Sequence, residues 1–189
     1  MAIRIFNDKH GISVQNFLER AIDVQFKEQQ KHEFWILTTA IDVTLIEPVI
    51  KSLQESIPLT DIYLAFDISQ IPEAVQAYSN EALWVIKSNL QNSGINFEFT
   101  SLKHHKHAMN GKGYAIIQRC HNKITEGLVV ITSADFTKAG FCGKNVELGH
   151  HSTTKKDLRA FEDLYKYLVK KLGCEVTTSA KEPQLQAPS

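Results

Sequence analysis

Two short runs constrain this chain more than any other feature. Phe34 to Thr39 (FWILTT) and Ile62 to Phe66 (IYLAF) are continuously apolar or β-branched, with no polar alternation. A strand with one wet face alternates, whereas a strand buried on both faces does not. Between the two runs, Val43 to Ile57 reads as a helix, with Pro48 close enough to its start to be tolerated. Strand, helix, strand is the parallel crossover unit, and a sheet built from it needs cover on both faces.

The rest of the chain extends this pattern and then changes it. Val14, Phe17, Leu18, Ala21 and Ile22 recur at helical spacing after a short apolar stretch, Ile3 to Phe6. Ile71 to Leu90 reads as a long helix stopped by Ser93-Gly94, and Ile95 to Leu102 alternates as a strand with one covered face. Gly113 to Cys120 (GYAIIQRC) and Leu128 to Thr132 (LVVIT) read as a hairpin joined by the polar stretch His121 to Glu126. Lys155 to Leu172 carries one apolar stripe of Leu158, Phe161, Leu164, Tyr165 and Leu168, and Gly173 stops it. The expected fold is α/β, a mixed β-sheet flanked by helices on both faces. One domain is expected over residues 1–174, with 175–189 a flexible C-terminal tail because it is polar and aperiodic.

Composition bounds the function. A formal net charge of zero gives no bulk attraction to nucleic acid, so any anion must be held by a local patch. Cys120, Cys142 and Cys174 are odd in number and lack metal-ligand spacing, which suits free thiols in a reducing compartment. No apolar run reaches the ~20 residues of a membrane span or the length of a signal segment, so a cytoplasmic protein without membrane attachment is expected.

The segment from His104 to His150 carries the chemistry. Its Ser133-x-Asp135-Phe136-Thr137, then Ala139-Gly140-Phe141, then Asn145-x-Glu147-Leu148-Gly149 resembles the phospholipase D superfamily, which closes its site with Ser-x-Asn-x-Thr followed by Asn-x-Glu. Asp135 stands where that family more often has Asn. The resemblance implies a phospholipase D-like fold and a phosphodiesterase in which a histidine attacks phosphorus and water hydrolyses the phospho-histidine. A second histidine protonates the leaving oxygen, and lysine and polar groups hold the phosphoryl oxygens. It also implies Glu147 as the carboxylate that orients the imidazole. No cofactor or metal is called for. One chain has one motif where the chemistry uses two, so the resemblance implies a homodimer joined through the active-site face. It points to nucleic acid, DNA or RNA, as substrate, because short single-motif members resemble bacterial nucleases.

The upstream His-x-Lys has two registers. In the favoured one the slot is Asn110-Gly111-Lys112, with Lys112 opposite Asp135 and Tyr114 opposite Ser133. Asn110, Lys112, Ser133 and Asp135 then share one strand face, and asparagine stands in the nucleophile slot. In the other the slot is His104-His105-Lys106, a literal match that needs strands of about 14 residues, well above the usual length. Blander readings stand beside these. Asn110-Gly111 is a strong hairpin-turn signal that would leave Lys112 a solvated edge residue. His104, His105 and His107 form a candidate metal cluster, although adjacent strand residues point to opposite faces. Ser133 lacks the Gly-x-Ser-x-Gly context of a hydrolase nucleophile, His150-His151 reads as ordinary surface, and Trp35 and Trp84 read as core. If Asn110 fills the slot, the alternative function is a catalytically dead nucleic-acid-binding module.

Overall fold

A computed structural model of the chain describes residues 3–6, 13–22, 30–69, 71, 73–103 and 111–174. In chain order its elements are β1 (Ile3–Phe6), α1 (Val14–Ile22), β2 (Lys31–Thr38), α2 (Ile46–Gln54), β3 (Leu59–Asp67), α3 (Glu73–Asn92), β4 (Asn96–Leu102), β5 (Gly113–Cys120), β6 (Lys123–Thr132), β7 (Glu147–Ser152), α4 (Lys155–Leu172) and β8 (Gly173–Cys174). The strands form one sheet in the order β1-β7-β6-β5-β2-β3-β4-β8. β2, β3 and β4 are mutually parallel, and β5, β6 and β7 run antiparallel to their neighbours. The mixed α/β sheet expected from sequence is therefore present.

Strand alternation divides the core in two. Phe34, Ile36, Ile62, Leu64, Tyr114, Ile116 and Val130 point to one face, where Val14 and Leu18 of α1, Ile50 and Leu53 of α2 and Leu83 and Leu90 of α3 cover them. Trp35, Leu37, Ala115, Ile117 and Val129 point to the other, against Leu158, Phe161 and Tyr165 of α4. Both faces are dry at β2, which is why its sequence does not alternate. On the α4 side an ion network lies inside the protein. Arg119 bonds Glu33 at 2.7 Å and Glu162 at 2.9 Å, and the Trp35 indole donates to Glu33 at 2.9 Å. Among the described residues no helix is long and apolar enough to cross a membrane.

Several local expectations are corrected. Val43 to Ile57 is not one helix: Val43–Leu45 is a 3-10 turn capped by the Asp42 side chain, and α2 follows it. The hairpin turn is not His121 to Glu126 but His121-Asn122 alone, both at positive φ (48° and 65°), and Lys123 to Glu126 belong to β6. Two left-handed residues make the tight turn whose twist matches paired strands. Trp84 is 38% exposed, stacked edge-on against Phe99 with the Lys87 ammonium 5.0 Å from its ring. Gly173 does end α4, but at φ −60° rather than in a left-handed cap. A Cβ there would lie 2.3 Å from the Val169 carbonyl oxygen, so close approach is what demands glycine. The expected tail, 175–189, lies outside the described residues.

Candidate active site at the strand ends

β2 reaches its carboxyl end at Thr38, β5 begins beside it at Gly113, β6 finishes at Thr132, and β7 starts at Glu147. All four termini meet at the end of the sheet where the parallel strands finish. Backbone groups are unpaired at such an end, which is where α/β sheets place ligand sites.

The sharing of one strand face does not arise as expected. Gly113 faces Ile131 and Tyr114 faces Val130, not Ser133. That odd-numbered shift would put Ser133 on the face away from Lys112 if β6 continued. The chain leaves the ladder instead. The Thr132 amide still donates to the Lys112 carbonyl at 3.1 Å, but the Ser133 amide turns to the Leu148 carbonyl at 2.9 Å. The Tyr114 hydroxyl then donates to the Ala134 carbonyl at 2.8 Å. This turn carries Asp135 back over the sheet end. Gly140 packs so tightly beneath it that a Cβ would lie 2.7 Å from the Asp135 carbonyl oxygen.

Lys112, Ser133, Asp135 and Glu147 are thereby brought together in two linked pairs. The Lys112 ammonium lies 3.0 Å from Oδ2 of Asp135 and donates to the Ser133 carbonyl at 2.9 Å. The Ser133 hydroxyl donates to Oε2 of Glu147 and accepts from the Leu148 amide at 3.1 Å. Ser133 is exposed, whereas Lys112, Asp135 and Glu147 are half-buried. The solvated edge lysine of the bland reading is thus not what the fold contains. Asn110, His104 and Lys106, with the His105 and His107 of the candidate metal cluster, lie outside the described residues.

Sequence reasoning set Lys112 against Asp135 but missed the partners of Asp135 at the end of β2. Its Oδ1 accepts from the Thr39 hydroxyl at 2.6 Å, the Ala40 amide at 2.9 Å and the Thr39 amide at 3.1 Å, with the Thr38 hydroxyl at 3.2 Å. Thr38 also accepts from the Phe136 amide at 3.0 Å. The signal was present: Thr38-Thr39 closes the buried run FWILTT, and polar residues at the carboxyl end of a parallel strand are where a site forms. Burial alone would raise the Asp135 pKa. The bonds from Thr39 and Lys112, with the lysine charge and the Ala40 amide, outweigh it and hold the carboxyl below its ordinary range.

Among the described residues no group of three or more His, Cys, Asp or Glu side chains is placed to hold a metal ion. His150 and His151, expected as plain surface, are half-buried, and His151 packs edge-on against Phe17 at 5.0 Å. Lys112 and the β2-end amides hold the Asp135 carboxylate, and Glu147 can accept a proton or orient a donor.

No family description matches this sequence, and no curated protein matches it by sequence. By structure it is similar to NucT from Helicobacter pylori, at 14% identity and a TM-score of 0.51, covering 92% of this chain and 99% of that one. It is similar to Nuc from Salmonella typhimurium, a phospholipase D family member, at 18% identity and a TM-score of 0.52, covering 92% and 96%. A phosphatidylserine synthase from Haemophilus influenzae matches at 10% identity and a TM-score of 0.53, covering 92% of this chain but 39% of that one.

Proposed function

From the phospholipase D superfamily fold of this chain, we propose that its site is that of a metal-independent phosphodiesterase, a nuclease that works through a phospho-histidine as a homodimer. With Asn110 in the nucleophile slot, the chain as written has no group there to attack phosphorus. The observation that carries this reading is the meeting of Lys112 with Asp135, and of Ser133 with Glu147, at one sheet end. Lys112 sits two positions after Asn110, which favours the Asn110-Gly111-Lys112 slot over His104-His105-Lys106. Nuclease neighbours of the same fold support nucleic acid as the substrate class. The homodimer draws support from Val146 and Leu148, apolar residues 68% and 57% exposed on either side of Glu147, with Ile131 45% exposed nearby.

Roles follow from chemistry. A histidine in the slot would attack phosphorus, Glu147 would orient its imidazole, and Lys112 with Ser133 would meet the phosphoryl oxygens. The test is turnover of single-stranded DNA, RNA and a nitrophenyl diester by the parent, Asn110→His and His104→Ala. Asn110→His is expected to gain activity that survives excess EDTA, because covalent catalysis has no weak substitute for its nucleophile. A parent that is already active and is silenced by His104→Ala would move the site to the other register. Loss of activity on chelation, restored by zinc or magnesium, would overturn the chemistry altogether.

A further inference from the structure

An anion already sits at this sheet end, and it belongs to the protein. Two consecutive backbone amides, Thr39 and Ala40, converge with the Thr39 hydroxyl on one oxygen of Asp135, and the Lys112 ammonium lies against the other. Converging amides, a hydroxyl and an ammonium are the donor set with which proteins hold phosphoryl oxygens. Here that set is spent on a carboxylate. Of the three N–H bonds of Lys112, one goes to Asp135 and one to the Ser133 carbonyl. Counting Lys112, Asp135 and Glu147, the described charges of the site sum to one negative.

We propose that Asp135 is a specificity-determining residue that occupies the anion position of the site from within, neutralises Lys112, and keeps phosphate affinity low in this chain. The proposal rests on the reading of the site as one for phosphodiesters and adds how that site is regulated by its own sequence. Asp135 acts through Lys112, so it is a positioning residue rather than a catalytic one. A phosphate entering beside it meets a like charge a few ångströms away, and in a half-buried site that repulsion is poorly screened. The same carboxylate ties the turn after β6 to the end of β2, so one side chain both builds the site and closes it to anions.

Asp135→Asn separates the two tasks. The amide oxygen still accepts from Thr39 and Ala40, while the negative charge is gone and the amide nitrogen no longer pairs with Lys112. Inorganic phosphate binding is measured by calorimetry on the full chain, with thermal melting as a check on folding. Asp135→Asn is expected to bind about tenfold tighter or more than the parent, and the gain is expected to vanish in Asp135→Asn with Lys112→Ala. A folded Asp135→Asn with unchanged affinity, or a gain that persists without Lys112, overturns the proposal. A second variant, Asp135→Ser, keeps the test open if Asp135→Asn does not fold. The salt dependence of single-stranded oligonucleotide binding is compared between the parent and Asp135→Ser. A slope steeper by about one is expected in the variant, because Lys112 released from Asp135 displaces a counterion when it meets phosphate. Equal slopes overturn the proposal. If Asp135→Asn gains phosphate as expected while Asn110→His cleaves no diester, the nuclease reading fails and this one stands. If Asn110→His cleaves and Asp135→Asn gains nothing, the reverse holds.

Discussion

The hydroxyl of Tyr114, on β5, donates to the carbonyl of Ala134 at 2.8 Å inside the protein. Tyr114 is fully buried among Phe136 and Phe141, with ring centroids 6.2 and 4.8 Å away. This bond holds the turn that brings Ser133 and Asp135 over the sheet end. Burial, reinforced by the Asp135 charge, pushes the phenol pKa far up, so the group stays a donor throughout the accessible pH range.

Tyr114→Phe is therefore expected to lower stability by about 1–3 kcal/mol, since the Ala134 carbonyl is left buried without its partner. Urea unfolding of the two proteins measures it. An unchanged midpoint would mean that the aromatic packing alone holds the turn.

The acid limb of stability has a predicted sign. Against burial, which acts to raise both groups, Thr39 and Lys112 depress Asp135, and Lys166 and Arg119 depress Glu162. A carboxyl whose folded pKa lies below its unfolded value stabilises the fold above that value, about 4. The contribution is lost as pH falls through the folded pKa. These two carboxyls are expected to add no slope from neutral pH down to about 5 and to lower stability below about 4, less steeply in Asp135→Asn. Urea midpoints collected at several pH values give the slope, and parallel profiles for the two proteins would contradict this account.

Arg119 joins two carboxylates that are nearly inaccessible, Glu33 at 8% and Glu162 at 11% side-chain exposure. Arg119→Met is expected to cost about 3–5 kcal/mol because it leaves both buried without their shared cation. Calorimetric unfolding provides the number. A cost under about 1 kcal/mol would show that Lys166 and water compensate.

Assembly is the fourth expectation. Light scattering at tens of micromolar (on the order of affinities for specific contacts) should report a dimer. Leu148→Glu should report a monomer, because a charge would enter the apolar surface beside Glu147. A parent that is monomeric at that concentration, or a dimer indifferent to Leu148→Glu, removes the shared site.

How much was legible follows from what each residue depends on. α4 could be read to both ends, Lys155 and Leu172, because its stripe of Leu158, Phe161 and Tyr165 and its closing Gly173 are local signals. β2 and β3 were legible in their apolar centres, but each begins three residues before its apolar run, at Lys31 and Leu59. The β5–β6 register was not legible. His121 to Glu126 is polar apart from Ile124, and burial of Ile124 on the α4 side is what places the segment's second half in a strand. Register depends on which side chains the rest of the fold covers, and a slip by an odd number reverses every face.

By itself the sequence determined most of the elements and the mixed sheet with helices on both faces, which rest on periodicity that neighbours in the chain suffice to express. Lys112, Ser133, Asp135 and Glu147 became a candidate set through the resemblance of their motif to the phospholipase D superfamily. Only the tertiary structure decided how the set is arranged. It ended β6 at Thr132, bent the chain through the Tyr114–Ala134 bond, and spent the carboxylate of Asp135 on Thr39, Ala40 and Lys112. The reason is separation in sequence: Thr39 and Asp135 lie 96 positions apart. No local preference joins them, and the contact exists because the sheet carries the ends of β2 and β6 to the same place.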